Sequence, residues 1–144
     1  MSTKHAAVSA ADPAFQEPIA KVLSYLQALE ARDMAGARVN LAENIDVTGP
    51  GGNTTDSVEG IVANSSRRYR RIGKHIARFD AMSASDGTVV VYCIGTLHGE
   101  WPDGRAFTGI RFIDRFELQG GLITRQEVWN DAAEHRMREA SQAS

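Results

Sequence analysis

Cysteine occurs once in the 144 residues, proline four times and tryptophan twice, and the chain has no run of about 18 apolar residues. Each scarcity excludes something. A lone thiol, Cys93, cannot close an internal disulfide, so the fold must stand on its core, and a reducing, cytoplasmic setting is the expectation. Without a long apolar run no helix is expected to span a bilayer, and the opening MSTKHAAVSAAD lacks the apolar stretch of a secretory leader. No membrane is therefore expected among the partners. Histidines and cysteines form no cluster at zinc spacing, so neither a metal nor another cofactor is expected. Charge of one sign is also not in excess: sixteen Lys and Arg face eighteen Asp and Glu, a net charge of −2, which argues against wholesale binding to nucleic acid.

What is present fits one domain, large enough to bury roughly two-thirds of its unfolded surface. Residues 1–12 are small and polar and are expected to form a flexible arm, residues 13–134 the domain, and residues 135–144 a polar tail without an apolar stripe. Asp12-Pro13 reads as an N-cap with proline in the first turn, and Phe15, Ile19, Val22, Leu23, Leu26 and Leu29 follow at helical spacing, predicting a first helix over 13–31. Tyr25 sits on or beside its buried stripe. Asp33 can cap a short second helix. Asn44 to Thr48 reads as a strand stopped by Gly49-Pro50-Gly51-Gly52, a turn without the Gly-Lys-Ser/Thr of a phosphate loop. Asp56 and Glu59 have capping-box spacing ahead of a third helix reaching about Ile72, and His75 to Met82 reads as a strand.

From Gly87 to Asp131 three long strand-like runs are separated by Asp103-Gly104 and Gly120-Gly121, which read as hairpin turns. In the middle run Thr108, Ile110, Phe112, Asp114, Phe116 and Leu118 share one face, and Phe107, Arg111, Ile113, Arg115 and Glu117 the other. Asp114 therefore lies among apolar residues, where an ionised and unpartnered carboxyl is costly. The order of elements predicts helices on one side of a strongly curved antiparallel sheet, an α+β cone whose helices and concave face enclose an apolar pocket.

Over residues 15–131 the chain resembles the nuclear transport factor two-like superfamily, and within it the SnoaL-like polyketide cyclases and the ketosteroid isomerases. Gly95-Thr96-Leu97-His98-Gly99-Glu100-Trp101 resembles the SnoaL-like segment Gly-Thr-His-x-Gly-Glu-aromatic. Tyr25 to Asp33 resembles the family's first-helix ending, and Ile113-Asp114 with Phe116, then Gly121-Leu122-Ile123, resemble its last hairpin. The resemblance implies a cone fold and puts Tyr25 and Asp114 at the two oxyanion-hole donors of the isomerases, where an apolar site keeps the aspartic acid neutral. It puts the isomerases' general base at Gly49. The cyclases' histidine falls at Leu97 and their last-strand aspartate at Val128, so neither acid–base set is complete.

Two donors converging on one point suit chemistry that develops charge on oxygen. The expected function is a cofactor-independent isomerase, cyclase or lyase acting on a small hydrophobic carbonyl compound. Tyr25 and Asp114 are its candidate catalytic residues, and Val47, Phe112, Phe116 and Trp129 its candidate substrate-binding residues. The alternatives are a non-catalytic metabolite-binding protein, favoured by the absent base, and a dimeric interaction module. For the base itself, Asp46 is expected to point away, His98 and Glu100 read as exposed side chains near the sheet end, and Arg125 and Glu127 stay open because a bulge could reverse their face. Residues 67–78 hold six of the sixteen Lys and Arg, which reads first as a solvated face. The outer sheet face, with Phe107, Ile113, Tyr92 and Ile94, is apolar enough to predict a homodimer there.

Overall fold

The computed structural model describes residues 12–143; the arm expected over 1–12 lies outside them but for Asp12. The Asp12 carboxylate accepts a hydrogen bond from the Ala14 amide at 3.0 Å and starts a short 3-10 turn, Pro13–Phe15. That turn leads into α1 (Gln16–Glu30), which buries Ile19, Val22, Tyr25 and Leu26, the stripe the helical spacing predicts. Asp33 caps α2 (Met34–Arg38) by accepting from the Gly36 amide at 2.9 Å. The chain continues through β1 (Leu41–Thr48), the Pro50–Gly52 turn and β2 (Thr54–Thr55) into α3 (Val58–Arg68). Here Ser57, and not Asp56, is the cap: its hydroxyl accepts from the Gly60 amide at 3.0 Å.

α3 stops at Arg68, short of the predicted Ile72, because Tyr69 turns extended and β3 (Arg71–Ser83) begins at once. Ile72, Lys74 and Ile76 alternate at strand period, and pairing of β3 along β4 (Val89–Glu100) overrides helical continuation. β5 (Ala106–Gln119), β6 (Leu122–Asn130) and α4 (Ala132–Ala143) complete the chain.

The strands form one six-stranded sheet in the order β2-β1-β6-β5-β4-β3. Its last four strands are the antiparallel meander that the hairpin turns predict. β1, in contrast, joins β6 in parallel, so the sheet is mixed. α1 and α3 lie over its concave face, and the core fills the space between.

Bulges reset which side chains face inward, and those of β5 and β6 bear on the site. Between the pairs Leu97↔Ile110 and Gly99↔Phe107, β5 carries an extra residue, with Gly109 at φ 76°. Phe107 therefore leaves the outer face on which the uninterrupted alternation puts it. It is buried and stacks on Trp101, ring centroids 4.2 Å apart. Between Glu117↔Arg125 and Leu118↔Ile123 the extra residue is Thr124, so Ile123, Gln126 and Val128 all face inward. Arg125, Glu127 and Trp129 face outward. Across the outer face Ile94, Ile113 and Trp129 align as cross-strand neighbours, the apolar row that the expected homodimer would use.

The boundary expected after residue 134 falls inside α4, and this helix is tied to the sheet. Glu139 accepts from the buried Trp101 indole N–H at 3.1 and 3.3 Å, its carboxylate lies 3.6 Å from Arg105, and Arg136 stands over the Trp101 ring at 4.6 Å. Glu139→Ala leaves a buried N–H without its acceptor. The expected loss is about 1–3 kcal/mol, checked by chemical denaturation.

Candidate active site

The concave face, α1 and α3 enclose a cavity of about 280 Å³. Its wall is largely apolar, with Leu26, Val47, Ile76, Leu97, Phe112 and Val128 among its lining residues. Three polar side chains meet in this apolar surface, each supplied by a different strand. The inward alternation of β5 delivers Asp114, that of β3 delivers Lys74, and the Thr124 bulge turns Gln126 of β6 to the same side.

Asp114 is fully buried, and neither carboxyl oxygen has a hydrogen-bonding partner among the described residues. Lys74 Nζ lies 3.7 Å from Oδ2, too far for a good hydrogen bond but close enough for a strong charge–charge interaction. The ammonium also stands 5.2 Å from the centre of the Phe112 ring. Burial pushes the Asp114 pKa up from the ordinary carboxyl value, while the Lys74 charge and the Gln126 amide pull the other way.

Tyr25 is also fully buried, but its hydroxyl donates to Gln126 Oε1 at 2.8 Å, and it is not among the cavity's lining residues. Its ring meets Phe116 edge-on at 5.9 Å. Burial first, and the Asp114 charge second, hold the phenol far above its ordinary pKa, so it remains a protonated donor. Cys93, the cross-strand neighbour of Asp114, is held in the thiol form for the same two reasons. It is core, not a nucleophile.

Of the expected pocket residues, Val47 and Phe112 line the cavity. Phe116 is buried behind it against Tyr25, outside the lining. Trp129 corrects the expectation: it is 54% exposed on the outer face, because the Thr124 bulge gives the inward positions of β6 to Gln126 and Val128. Tyr25 and Asp114 share a neighbourhood, but the tyrosine hydroxyl is directed at Gln126, not into the cavity.

Gly49 and Val128, the two positions where the family resemblance expects carboxylates, both line the cavity. Asp46 points away and pairs with Arg125 at 3.1 Å. His98 stacks on His75 at 4.2 Å, with its pKa lowered by burial and by that neighbour, and Glu100 faces Arg70 and Arg71. The basic run divides: Arg67, Arg70, Arg71 and Arg78 are solvated, as its first reading holds, whereas Arg68 and Lys74 face the cavity. Lys74 and Gln126 are the functional candidates that sequence reasoning passed over. A signal existed for the first, since Lys74 alternates with Ile72 and Ile76.

A family model described as a SnoaL-like domain matches residues 22–126. The chain belongs to the SnoaL-like family. The matched span of this SnoaL-like protein includes Tyr25, Lys74, Asp114 and Gln126. Solved structures agree on the fold. An NTF2-like protein of unknown function from Burkholderia pseudomallei aligns with a TM-score of 0.67 at 18% identity, covering 83% of this chain and 94% of that one. A polyketide cyclase-like structure from a Silicibacter species gives 0.61 at 19%, covering 83% and 93%. The orange carotenoid protein of Anabaena, binding canthaxanthin, gives 0.61 at 19% over 75% of this chain and 35% of its own. No match is found among curated proteins.

Proposed function

We propose that this SnoaL-like protein is a cofactor-independent isomerase, cyclase or lyase for a small hydrophobic carbonyl compound, with Asp114 transferring the proton and Lys74 stabilising the oxyanion. One observation carries the reading: a fully buried carboxyl with no hydrogen bond to either oxygen among the described residues lines an apolar cavity, 3.7 Å from an ammonium group. An unsatisfied buried carboxyl is expensive to keep, and perturbed groups of this kind concentrate at functional sites.

The chemistry follows from the pair. A raised pKa makes the Asp114 carboxylate a stronger base than an exposed one, better matched to a carbon-bound proton beside a carbonyl. As that proton moves to Asp114, negative charge develops on the carbonyl oxygen, where Lys74 offers positive charge from a largely apolar wall. Returning the proton to a second carbon isomerises the compound; attack of the enolate carbon on a second carbonyl closes a ring. Tyr25 acts one step away, through the hydrogen bond that fixes Gln126 beside Asp114. The polyketide cyclase-like Silicibacter structure supports this reaction class by analogy of fold. Absence of carboxylates at Gly49 and Val128, with the carotenoid-binding relative, favours a second reading as a metabolite-binding protein.

Titration with 2-naphthol, whose absorption separates the neutral from the ionised form, distinguishes the two. Wild type is expected to bind it saturably with the bound phenol ionised below its free pKa, and Lys74→Met to abolish that ionisation. Tyr25→Phe, which frees Gln126 without touching the ligand, should weaken binding by about 5-fold, the worth of one neutral hydrogen bond. Binding of the neutral form alone, equal in wild type and Lys74→Met, would leave a metabolite-binding protein.

A further inference from the structure

Two guanidinium groups line the same cavity with no acid opposite them. Arg68, the last residue of α3, and Arg32, which follows α1 at φ 58°, both belong to its wall. Among the described residues neither comes within 4.0 Å of a carboxylate, whereas Arg70, Arg71, Arg105, Arg111, Arg115 and Arg125 each face one. Arg32 Nη1 donates to Ser66 Oγ at 2.8 Å and to the Val62 carbonyl at 3.4 Å. Among the described residues Arg68 Nη2 reaches only the Pro50 carbonyl, at 3.4 Å, which leaves most of its donors without a partner there.

The place where Arg68 points sharpens the observation. A Cβ built on Gly49 would lie 4.0 Å from Arg68 Nη1, with Asn53 O the only other atom near, at 3.7 Å. The position at which the family resemblance expects a carboxylate thus has no side chain, open room, and a cation beside it. Among the charged side chains lining the cavity, Arg32, Arg68 and Lys74 outnumber Glu30 and Asp114. Glu30 is partly engaged elsewhere, since its Oε1 accepts from the Lys74 backbone amide at 3.0 Å. The surplus is positive, and it grows when Asp114 is protonated.

We infer that the ligand brings its own carboxylate: the cavity takes a compact, hydrophobic oxo acid whose anionic end lies against Arg68, beside Gly49, and whose carbonyl lies at Lys74 and Asp114. A planar guanidinium suits a carboxylate because two parallel N–H donors meet its two oxygens. The apolar wall between the two ends, formed by Val47, Phe112 and Val128, takes the hydrocarbon body. The carbonyl end of this assignment rests on the proposed function; the carboxylate end rests on Arg68 alone.

Isothermal titration of 2-naphthoic acid and 2-naphthamide, equal in shape and different in charge, tests it at pH 7.5 and low salt. Wild type should bind the acid roughly 10-fold or more tighter than the amide, the worth of a charge-assisted hydrogen bond. Arg68→Gln should bring that ratio close to one while melting as wild type does. Arg67→Gln, which removes an equal charge from the exposed neighbour, should leave it intact. Equal affinity for acid and amide in wild type, or equal effects of the two substitutions, would overturn the oxo-acid assignment and leave the carbonyl chemistry standing. Binding of neither compound would overturn the assignment as well, while the 2-naphthol titration decides the carbonyl chemistry.

Discussion

Asp114→Asn is expected to remove activity and raise stability together. Enolisation, followed as deuterium uptake by a small aromatic ketone such as 2-tetralone in heavy water, should fall by roughly 100- to 10,000-fold, the usual worth of a positioned proton-transferring group. The stability change follows from the raised pKa of the carboxyl. A folded state with a raised pKa holds its proton more tightly than the unfolded chain does. The stabilisation this gives is fully present below the unfolded carboxyl value of about 3.9 and is lost as pH rises through the folded value. Above that point the wild type encloses an ionised carboxylate without hydrogen bonds, and the neutral amide does not. Melting temperatures of the two proteins should therefore converge at low pH and separate at pH 8, with the variant higher. A variant that melts below wild type at every pH would remove the argument that Asp114 is retained for function at the expense of stability.

Lys74→Met should have the opposite effect on stability. Methionine keeps the apolar stem against Phe112 and deletes the only cation within 4.0 Å of Asp114 among the described residues. The carboxyl pKa then moves further up, and the pH window over which stability is lost widens upward with it. Removing one partner of a fully buried ion pair costs about 3–5 kcal/mol; because a quarter of the Lys74 side chain is exposed, the loss at pH 8 should lie at or below about 3 kcal/mol. It should shrink toward pH 4, as the carboxyl takes up its proton in both proteins. Adding Asp114→Asn to Lys74→Met should restore most of the lost stability, because the lone charge is gone. Chemical denaturation at the two pH values measures all four proteins. Strictly additive effects would mean that Lys74 and Asp114 do not sense each other.

Much of this arrangement was legible in the residues. The hairpin glycines, the apolar alternation of β5 and the α1 stripe identify the cone, and the same alternation singles out Asp114 before any coordinate is known. What escaped has a common physical origin. One extra residue in a strand reverses every later side chain, and nothing local marks Thr124 as the place where this happens, so uninterrupted alternation puts Trp129 inward and Gln126 on the opposite face. Gly109 does mark its bulge, but only after the register is known. Lys74 was hidden in a run of arginines whose average reading, a solvated face, fits most of its members. Pairing of β1 with β6 joins segments far apart in sequence, and no short-range signal carries it.

That parallel pairing also bears on how the chain reaches its final state. Val47 and Gln126, partners across it, both line the cavity, so the cavity is complete only when the first strand has docked on the last. Contacts between such distant segments must overcome loop-closure entropy before they stabilise anything, which slows folding and places their formation late. A compound that occupied the cavity would touch both partners and hold the first and last strands together. A ligand of the cavity would therefore also be a latch on the fold: proteolytic resistance of the β1–β6 seam should rise as one plus the ratio of ligand concentration to Kd, the form expected when the folded state alone binds it.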